Sequence, residues 1–247
     1  MTSPLPPAFI LAGGLGTRLA SVLPDCPKAL APVGGRPFLD ILLDQLLALG
    51  IARVVLLLGS RSAAITQFVE ERSQRRRGQP DVYVRTSIEP SPLGTGGAVK
   101  FASKFADGPF LLLNGDTYLD FDAAALTAYH REKKALVTLA ASAQQDTARF
   151  GRLEVSPDGF VVGFREKMAS SGPGLINGGV YVMETTVLSL IPDGRAVSLE
   201  QETFPSILAQ GGRMAALAQQ GSFFDIGTPE SYKSFTAFVA QTPGGHS

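Results

Sequence analysis

A glycine-rich segment near the amino terminus carries the clearest chemical pattern in this sequence. It reads Ala12-Gly13-Gly14-Leu15-Gly16-Thr17-Arg18-Leu19. Glycines let backbone N–H groups approach an anion closely, and a loop of such groups forms a cradle for phosphate. Arg18 can hold phosphate oxygens in a bidentate manner while charge builds during a transfer, and Lys28 can act as a point charge. The segment therefore predicts a polyphosphate site, although glycines in a strand–helix turn are also compatible with a purely structural role.

Three other kinds of site fit this sequence less well. A dinucleotide fold needs the pattern G-x-G-x-x-G, and its third glycine position is Leu19 here. The ATPase P-loop also fails, because no glycine-lysine-serine/threonine follows the glycines. The chain has one cysteine, Cys26, and two histidines, His130 and His246, so a nucleophile–histidine triad is disfavoured.

Two carboxylates far apart in the sequence could share a metal ion. Asp116 follows an apolar run, and an aspartate at the carboxyl end of a parallel strand points into the crevice where ligands bind. A carboxylate there suits Mg²⁺. Asp225 follows the apolar pair Phe223-Phe224. The alternatives are a turn aspartate at position 116 and a helix cap at position 225, before Pro229.

The elements that must position these groups alternate between strands and helices up to about residue 146. Short apolar runs predict strands at 9–12, 54–58, 82–84, 110–113 and 136–140, and helical spacing predicts helices at 38–49, 65–69, 98–105 and 123–133. This alternation indicates an α/β fold with right-handed crossovers and a mostly parallel sheet. From about residue 147 the pattern changes to a hairpin at 151–165, a strand at 179–183, a helix at 204–208, a short strand at 223–226 and a helix from 229.

Bulk properties limit the classes of function. The 247 residues are 45% hydrophobic with a formal net charge of zero, which supplies a core and argues against a nucleic-acid partner. The cluster Arg75-Arg76-Arg77 is interpreted as a solvated helix end. No apolar run approaches the ~20 residues that span a bilayer, and residues 1–7 do not resemble a signal peptide. We therefore expect a cytoplasmic protein without a membrane partner, with a homo-oligomer left open.

The domain organisation follows from the same pattern. No linker composition separates the two halves, so residues 1–241 are expected to form one domain. Residues 7–146 would form the α/β part of this domain, and residues 147–241 would form a small α+β extension on the substrate side. Residues 242–247 are expected to be a disordered tail.

Gly13-Gly14-Leu15-Gly16-Thr17-Arg18-Leu19, followed by Pro27-Lys28 and Pro32-Val33, resembles the opening motif of the sugar-1-phosphate nucleotidyltransferases. The resemblance extends to about Tyr232, and it implies that residues 7–146 are the nucleotide-binding half and residues 147–241 the sugar-binding half. It implies a Rossmann-like mixed sheet of the nucleotide-diphospho-sugar transferase (GT-A-like) type, with Mg²⁺ held by Asp116 and Asp225. The sequence departs from the family pattern at two positions, Ala29 after Lys28 and Met168 after Lys167, where proline is common.

The resemblance also assigns binding roles along the chain. It implies that Arg18, Lys28, Asp116 and Asp225 are catalytic. It implies nucleotide contacts by Leu11, Ala12, Gly13, Gly14, Gly16, Thr17, Glu89, Gly94 and Thr95. It implies contacts to the sugar phosphate by Asn114, Gly151, Glu166, Lys167 and Asn177.

The identity of the nucleotide depends on Glu89. Thymidylyl- and uridylyltransferases of this family often have glutamine at the matching position. A carboxylate only accepts hydrogen bonds, and guanine presents two adjacent donors, so Glu89 favours GTP over UTP. A solvated glutamate before Pro90 is the alternative.

The sugar is predicted from resemblance alone. Segments around Leu93, Asn114 and Asp225 look most like D-glycero-α-D-manno-heptose-1-phosphate guanylyltransferases, which make GDP-heptose for bacterial surface glycans. Mannose-1-phosphate guanylyltransferase and N-acetylmuramate-1-phosphate uridylyltransferase remain alternatives. A non-catalytic sugar-nucleotide sensor is the alternative from another class, and it would be expected to lose Arg18, Lys28 or an aspartate.

Overall fold

The computed structural model describes residues 4–14, 19, 22–24, 26–165 and 172–241. Its strands are β1 Ala8–Leu11, β2 Pro32–Val33, β3 Arg36–Pro37, β4 Arg53–Leu58, β5 Tyr83–Ile88, β6 Phe110–Asn114, β7 Thr117–Leu119, β8 Val137–Gln144, β9 Arg152–Val155, β10 Val161–Arg165, β11 Gly174–Met183, β12 Met214–Gln219 and β13 Phe223–Asp225. Its α-helices are α1 Phe38–Ala48, α2 Ser62–Arg75, α3 Gly94–Phe101, α4 Ala123–Lys133, α5 Phe204–Ala209 and α6 Pro229–Gln241. Short 3₁₀ segments lie at Lys28–Leu30, Ser103–Phe105 and Thr185–Leu190, and a π-helical turn lies at Leu199–Thr203.

Seven strands form the main sheet in the order β12-β8-β11-β6-β1-β4-β5. β1 pairs in parallel with β4 and β6, β4 with β5, and β12 with β8. β11 runs antiparallel to both of its neighbours, β6 and β8. The predicted mostly parallel mixed sheet flanked by helices is therefore confirmed.

The central strands are apolar because the sheet is covered on both faces. Side chains alternate along β1, so that Ile10 packs into one core and Phe9 into the other. α1, α2 and α6 contribute buried side chains to the first core, and α3 and α5 contribute them to the second. Phe9 and Phe110 meet with ring centroids 4.6 Å apart. Burial of each such side chain contributes roughly 1.5–3 kcal/mol, which makes the strand ends a rigid support for the loops that follow them.

Two small antiparallel pairs lie outside the main sheet. β9 and β10 form the predicted hairpin, and its turn is closed by Ser156 N–H donating to Phe160 O at 2.8 Å. β7 pairs with β13, which sets Thr117 opposite Asp225. Neither β7 nor β12 was predicted, because the first has three residues and the second, MAALAQ, lacks β-branched side chains.

Two local predictions need correction, and one histidine has surroundings that its neighbours in the sequence do not indicate. Arg75 and Arg77 are exposed as expected, but Arg76 donates to Asp44 at 2.7 Å and is half-buried. The helix predicted at 98–105 begins earlier, at Gly94, and its last residues form a 3₁₀ turn instead. His130 is 1% exposed and contacts Thr138 and Glu184, although its surroundings in sequence are polar. Each deviation reflects a tertiary contact that the local sequence does not reveal.

No helix among the described residues is long and apolar enough to cross a membrane. The predicted tail at 242–247 lies outside the described residues.

Candidate active site

A cavity of about 350 Å³ opens at the carboxyl ends of β1, β4 and β6, where a parallel sheet is expected to bind its ligands. Ten of the predicted site residues line it: Leu11, Ala12, Gly13, Gly14, Lys28, Glu89, Gly94, Thr95, Asn114 and Asp116. The remaining wall is formed by Ala29, Leu57, Ser60, Pro92, Ala98, Gly115 and Glu200. One cavity therefore collects residues from the glycine-rich loop, the Glu89 loop and the end of β6.

Close packing of backbone against backbone explains two of the glycines. A Cβ at Gly13 would lie 2.8 Å from Gly59 N, so any side chain there would push apart the segments that follow β1 and β4. Gly94 has a φ of +70°, and its Cβ would lie 2.6 Å from Val197 O. Both positions therefore require glycine, and both hold a loop of the cavity wall against a neighbouring segment.

Lys28 and the two predicted metal ligands form a compact charged cluster. Lys28 Nζ lies 2.7 Å from Asp116 Oδ2 and 3.9 Å from Asp225 Oδ1. The β7–β13 pair brings the two aspartates together, and Ile226 N–H donates to Asp116 O at 2.9 Å. Asp225 is part of this cluster, although it does not belong to the cavity wall formed by the described residues.

The carboxylates of this cluster fit a divalent metal. Both carboxylates pair with the same ammonium group, so one cation already attracts both of them. Thr117 Oγ1 donates to Asp116 Oδ1 at 3.2 Å, and Gly227 N–H donates to Asp225 Oδ1 at 2.7 Å, which orients each group. Within the described ranges no three His, Cys, Asp or Glu side chains come together as a metal site. The pair suits Mg²⁺, which commonly binds one or two carboxylates and takes its other ligands from water and substrate phosphates.

Glu89 lies at the opposite part of the cavity wall. Leu93 N–H donates to its Oε2 at 3.2 Å, which holds the carboxylate beside the Pro92–Gly94 segment. Burial raises the pKa of Glu89 above the ordinary value of a glutamate, and the Leu93 hydrogen bond only partly offsets this. The cavity thus offers a carboxylate acceptor at one part of its wall and cations and carboxylates at another.

The predicted contacts to the sugar phosphate do not all line the cavity. Asn114 lines the cavity, and Gly179 packs against its side chain at a bulge in β11. Asn177 lies on the same bulge and donates from Nδ2 to Tyr181 OH at 2.7 Å, but it is not part of the cavity wall formed by the described residues. Gly151, with a φ of +77°, also lies outside that wall.

Five predicted site residues, Gly16, Thr17, Arg18, Glu166 and Lys167, lie outside the described residues.

Glu200 is a charged wall residue that sequence reasoning missed. It lies in the π-helical turn Leu199–Thr203 and accepts from Thr95 Oγ1 at 3.0 Å. The turn leads directly into α5, and no motif in the sequence distinguishes Glu200 from its neighbour Glu202. Only the folded chain shows which of the two faces the cavity.

The chain is similar to known proteins over nearly its whole length. Residues 7–242 match the family described as Nucleotidyl transferase. A curated D-glycero-alpha-D-manno-heptose 1-phosphate guanylyltransferase from Campylobacter jejuni is 33% identical over 92% of this chain and 97% of its own length. A mannose-1-phosphate guanylyltransferase from Mycobacterium tuberculosis is 36% identical over 91% of this chain, which spans 62% of that protein.

A solved structure has the same architecture. HddC from Yersinia pseudotuberculosis superposes with a TM-score of 0.84 at 31% identity, covering 95% of this chain and 100% of that one. A second structure of HddC, with a TM-score of 0.83, contains GMP-PN.

Proposed function

This chain belongs to the nucleotidyl transferase family, and from that membership we propose that it transfers GMP from GTP to D-glycero-α-D-manno-heptose 1-phosphate. The products would be GDP-heptose and pyrophosphate, and the reaction would serve surface glycan synthesis in a bacterium. Membership and relatives make the chain a sugar-1-phosphate nucleotidyltransferase, with guanylyl transfer favoured. The single observation that carries the proposal is one cavity that holds Glu89, Lys28 and Asp116 together.

The proposed reaction is an in-line displacement at the α-phosphorus of GTP. An oxygen of the sugar phosphate forms the new P–O bond, the bond between the α-phosphorus and the bridging oxygen breaks, and pyrophosphate leaves with that electron pair. The nucleophile is already an anion, so no general base is required. Bringing two anions together is the main obstacle, and fixed cations that orient both reactants lower it.

The cations of this chain have separate proposed tasks. Lys28, in the cavity wall, would bind a phosphate that remains in the product. Arg18 would hold the oxygens on which charge builds, and Lys167 would bind the phosphate of the sugar, with Glu166, Asn177 and Gly151 meeting the sugar itself. Asp116 and Asp225 would hold Mg²⁺, which when bound neutralises phosphate charge and aligns the displacement.

The choice of GTP rests on Glu89. Its Oε2 is held by Leu93 N–H, so the carboxylate is fixed in the cavity wall rather than free in solvent. An ionised carboxylate accepts from N1–H and N2–H₂ of guanine, whereas uracil offers one donor between two acceptors. The presence of GMP-PN in the HddC structure supports the same choice.

The choice of heptose phosphate rests on the relatives. The heptose enzyme of Campylobacter jejuni is covered over 97% of its length, and the mannose enzyme of Mycobacterium tuberculosis over 62%. Mannose 1-phosphate remains the second candidate, because that relative is 36% identical. GTP and sugar phosphates are intracellular metabolites, and on that ground we propose a cytoplasmic location.

A substrate panel tests the proposal. Purified protein with Mg²⁺ is incubated with GTP or UTP and with heptose, mannose or N-acetylmuramate 1-phosphate, and pyrophosphate release is measured. The highest kcat/KM is expected for GTP with the heptose phosphate. Preference for mannose 1-phosphate would change the sugar, preference for UTP would contradict the role of Glu89, and binding without pyrophosphate release would favour the sensor.

A further inference from the structure

We propose that Glu200 is a positioning residue that joins the nucleotide side of the cavity, at Thr95, to the sugar side, at Asn177, by way of Tyr181. The inference rests on the proposed function, because it assigns Glu200 to the geometry of the same reaction.

Both oxygens of Glu200 are held by hydroxyl groups. Oε2 accepts from Thr95 Oγ1 at 3.0 Å and from Ser198 Oγ at 3.3 Å, and Oε1 accepts from Tyr181 OH at 3.4 Å. A carboxylate in the cavity wall that receives three hydroxyl donors has a fixed orientation. Glu200 is therefore built into the wall of the cavity.

The direction of these hydrogen bonds sets the orientation of Asn177. An ionised carboxylate only accepts, so Tyr181 OH must donate to Glu200 and is left to accept. It accepts from Asn177 Nδ2 at 2.7 Å, while Asn177 Oδ1 accepts from Gly179 N–H at 3.0 Å. The carboxylate, through Tyr181, and Gly179 N–H thus together fix which end of the Asn177 amide faces Tyr181. Among the described residues, the second N–H of that amide is then available to a ligand.

Tyr181 is suited to transmit this constraint. Its side chain is fully buried, and its ring packs against Phe204 with centroids 5.4 Å apart. Burial, together with the charge of Glu200, raises the pKa of Tyr181 well above that of a free tyrosine. The hydroxyl therefore stays neutral and keeps its proton for Glu200.

At the other end, Glu200 fixes the loop that carries Thr95. Thr95 Oγ1 donates to Glu200 and accepts from Leu199 N–H at 2.8 Å, so its hydroxyl is used in both directions. The first turn of α3, which contains Thr95, is also held by Gly96 N–H, which donates to Val197 O at 2.8 Å. A shift of Glu200 would therefore move the first turn of α3 and the amide of Asn177 together.

The decisive variant is Glu200→Gln, which keeps the shape but replaces one acceptor oxygen with an amino donor. Tyr181 or Thr95 then loses its acceptor. We expect the KM for the sugar phosphate to rise roughly 10-fold, the usual effect of losing a hydrogen bond to a charged group, with a smaller change in kcat. The matched control is Glu202→Gln, because Glu202 lies in the same turn but is exposed and pairs with Arg195. Unchanged KM in Glu200→Gln would overturn the proposal.

A double-mutant cycle tests whether Glu200 and Tyr181 act through the same chain of hydrogen bonds or whether each substitution disturbs the structure independently. Tyr181→Phe removes the hydroxyl and keeps the ring, and it should raise the KM for the sugar phosphate as Glu200→Gln does. The double variant should be no worse than either single variant, because both break the same chain of hydrogen bonds. Additive losses would contradict the connection. If Glu200→Gln fails to fold, Tyr181→Phe alone decides, and an unchanged KM in it overturns the proposal.

One measurement does not depend on turnover. The side-chain amide signals of Asn177 in ¹⁵N-labelled protein should shift in Glu200→Gln and stay in place in Glu202→Gln, and no shift in Glu200→Gln would overturn the proposal. If the unaltered protein releases no pyrophosphate with any substrate pair, the proposed function fails and these signals still test Glu200. If it is active and Glu200→Gln behaves like the control, only the role of Glu200 fails.

Discussion

Lys28 Nζ lies 2.7 Å from Asp116 Oδ2 and also pairs with Asp225, the second proposed metal ligand. The Lys28 side chain is 11% exposed, so the pair is only partly screened by water. Because the same carboxylates are the proposed metal ligands, the ammonium group and Mg²⁺ compete for them. Lys28 therefore has two proposed partners, the aspartates before the substrates bind and a phosphate afterwards.

Replacing Lys28 should strengthen metal binding while weakening catalysis. Lys28→Met removes the competing charge, and we expect the nucleotide-free protein to bind Mg²⁺ or Mn²⁺ roughly tenfold more tightly, because two carboxylates lose their counter-ion. Titration calorimetry measures the affinity, and kcat should fall in parallel. Lys104→Met, at an exposed position beside Phe105, is the control. Unchanged metal affinity in Lys28→Met would show that the ammonium does not occupy the metal position.

Removing either proposed metal ligand should lower turnover in a way that added metal partly restores. Asp116→Asn and Asp225→Asn each halve the charge available to a cation, and we expect kcat to fall roughly 10²-fold or more at low Mg²⁺. The dependence of kcat on Mg²⁺ concentration should move to higher values in both variants. Asp120→Asn, at an exposed position after β7, should keep the normal dependence. Equal metal dependence in all three variants would argue against the ligand pair.

The sequence predicted the strand ends that carry this site better than the charged residue that a distant element adds to it, Glu200. The ends of β1, β4 and β6 could be predicted from the sequence, because apolar runs such as Phe-Leu-Leu-Leu at β6 are typical of strands that are buried on both faces. The position of Glu200 in the cavity wall could not be predicted from the sequence. It depends on a π-helical turn and on contacts with Thr95 and Tyr181, which lie in distant elements. Local patterns encode burial well, whereas the direction of one acidic side chain depends on tertiary packing.

The affinity for GTP should depend on the protonation of Glu89. Burial raises its pKa, and guanine donors favour the ionised form, so GTP binding releases a proton and is strongest above that raised pKa. We expect the KM for GTP to rise as the pH falls through the raised pKa of Glu89. Glu89→Gln should lose this part of the pH dependence and gain activity with UTP relative to GTP. The triphosphate also titrates, but it does so equally with both proteins, so identical pH profiles would remove Glu89 from base recognition.

Arg18 is predicted from sequence to stabilise the charge that builds during transfer. Arg18→Ala should lower kcat roughly 10²-fold or more, as the loss of a transition-state donor does in other enzymes. Arg18→Lys should restore only part of this, because an ammonium group cannot hold two oxygens in the same bidentate geometry. Steady-state kinetics of the two variants measures the effect. Near-normal turnover of Arg18→Ala would refute the role.

The stability of the fold should depend on Arg72. This residue lies away from the cavity and is surrounded by three carboxylates. Arg72 is 2% exposed and pairs with Asp40, with Asp44 at 2.6 Å and with Asp81 at 2.9 Å, joining α1 to α2. Removing the arginine reduces the positive charge around three carboxylates, while Arg36 still contacts Asp40 and Asp44. Arg72→Met should therefore lower the free energy of unfolding by about 3 kcal/mol, the low end of the range for breaking a buried ion pair. Urea unfolding measures the loss, and Arg75→Met, an exposed arginine on the same helix, is the matched control.

The pH dependence of unfolding should show whether the stability loss in Arg72→Met comes from the lost charge. Burial alone would raise the pKa of Asp44, but hydrogen bonds from Arg72 and Arg36 outweigh it and hold the pKa below its usual value. A carboxyl group with a lowered folded-state pKa stabilises the fold above its unfolded-state pKa and loses that contribution as pH falls through the folded value. The difference in unfolding free energy between the unaltered protein and Arg72→Met should therefore shrink on acidification below about pH 4. A difference that stays constant through that range would mean that lost packing of the arginine side chain, rather than its charge, destabilises the variant.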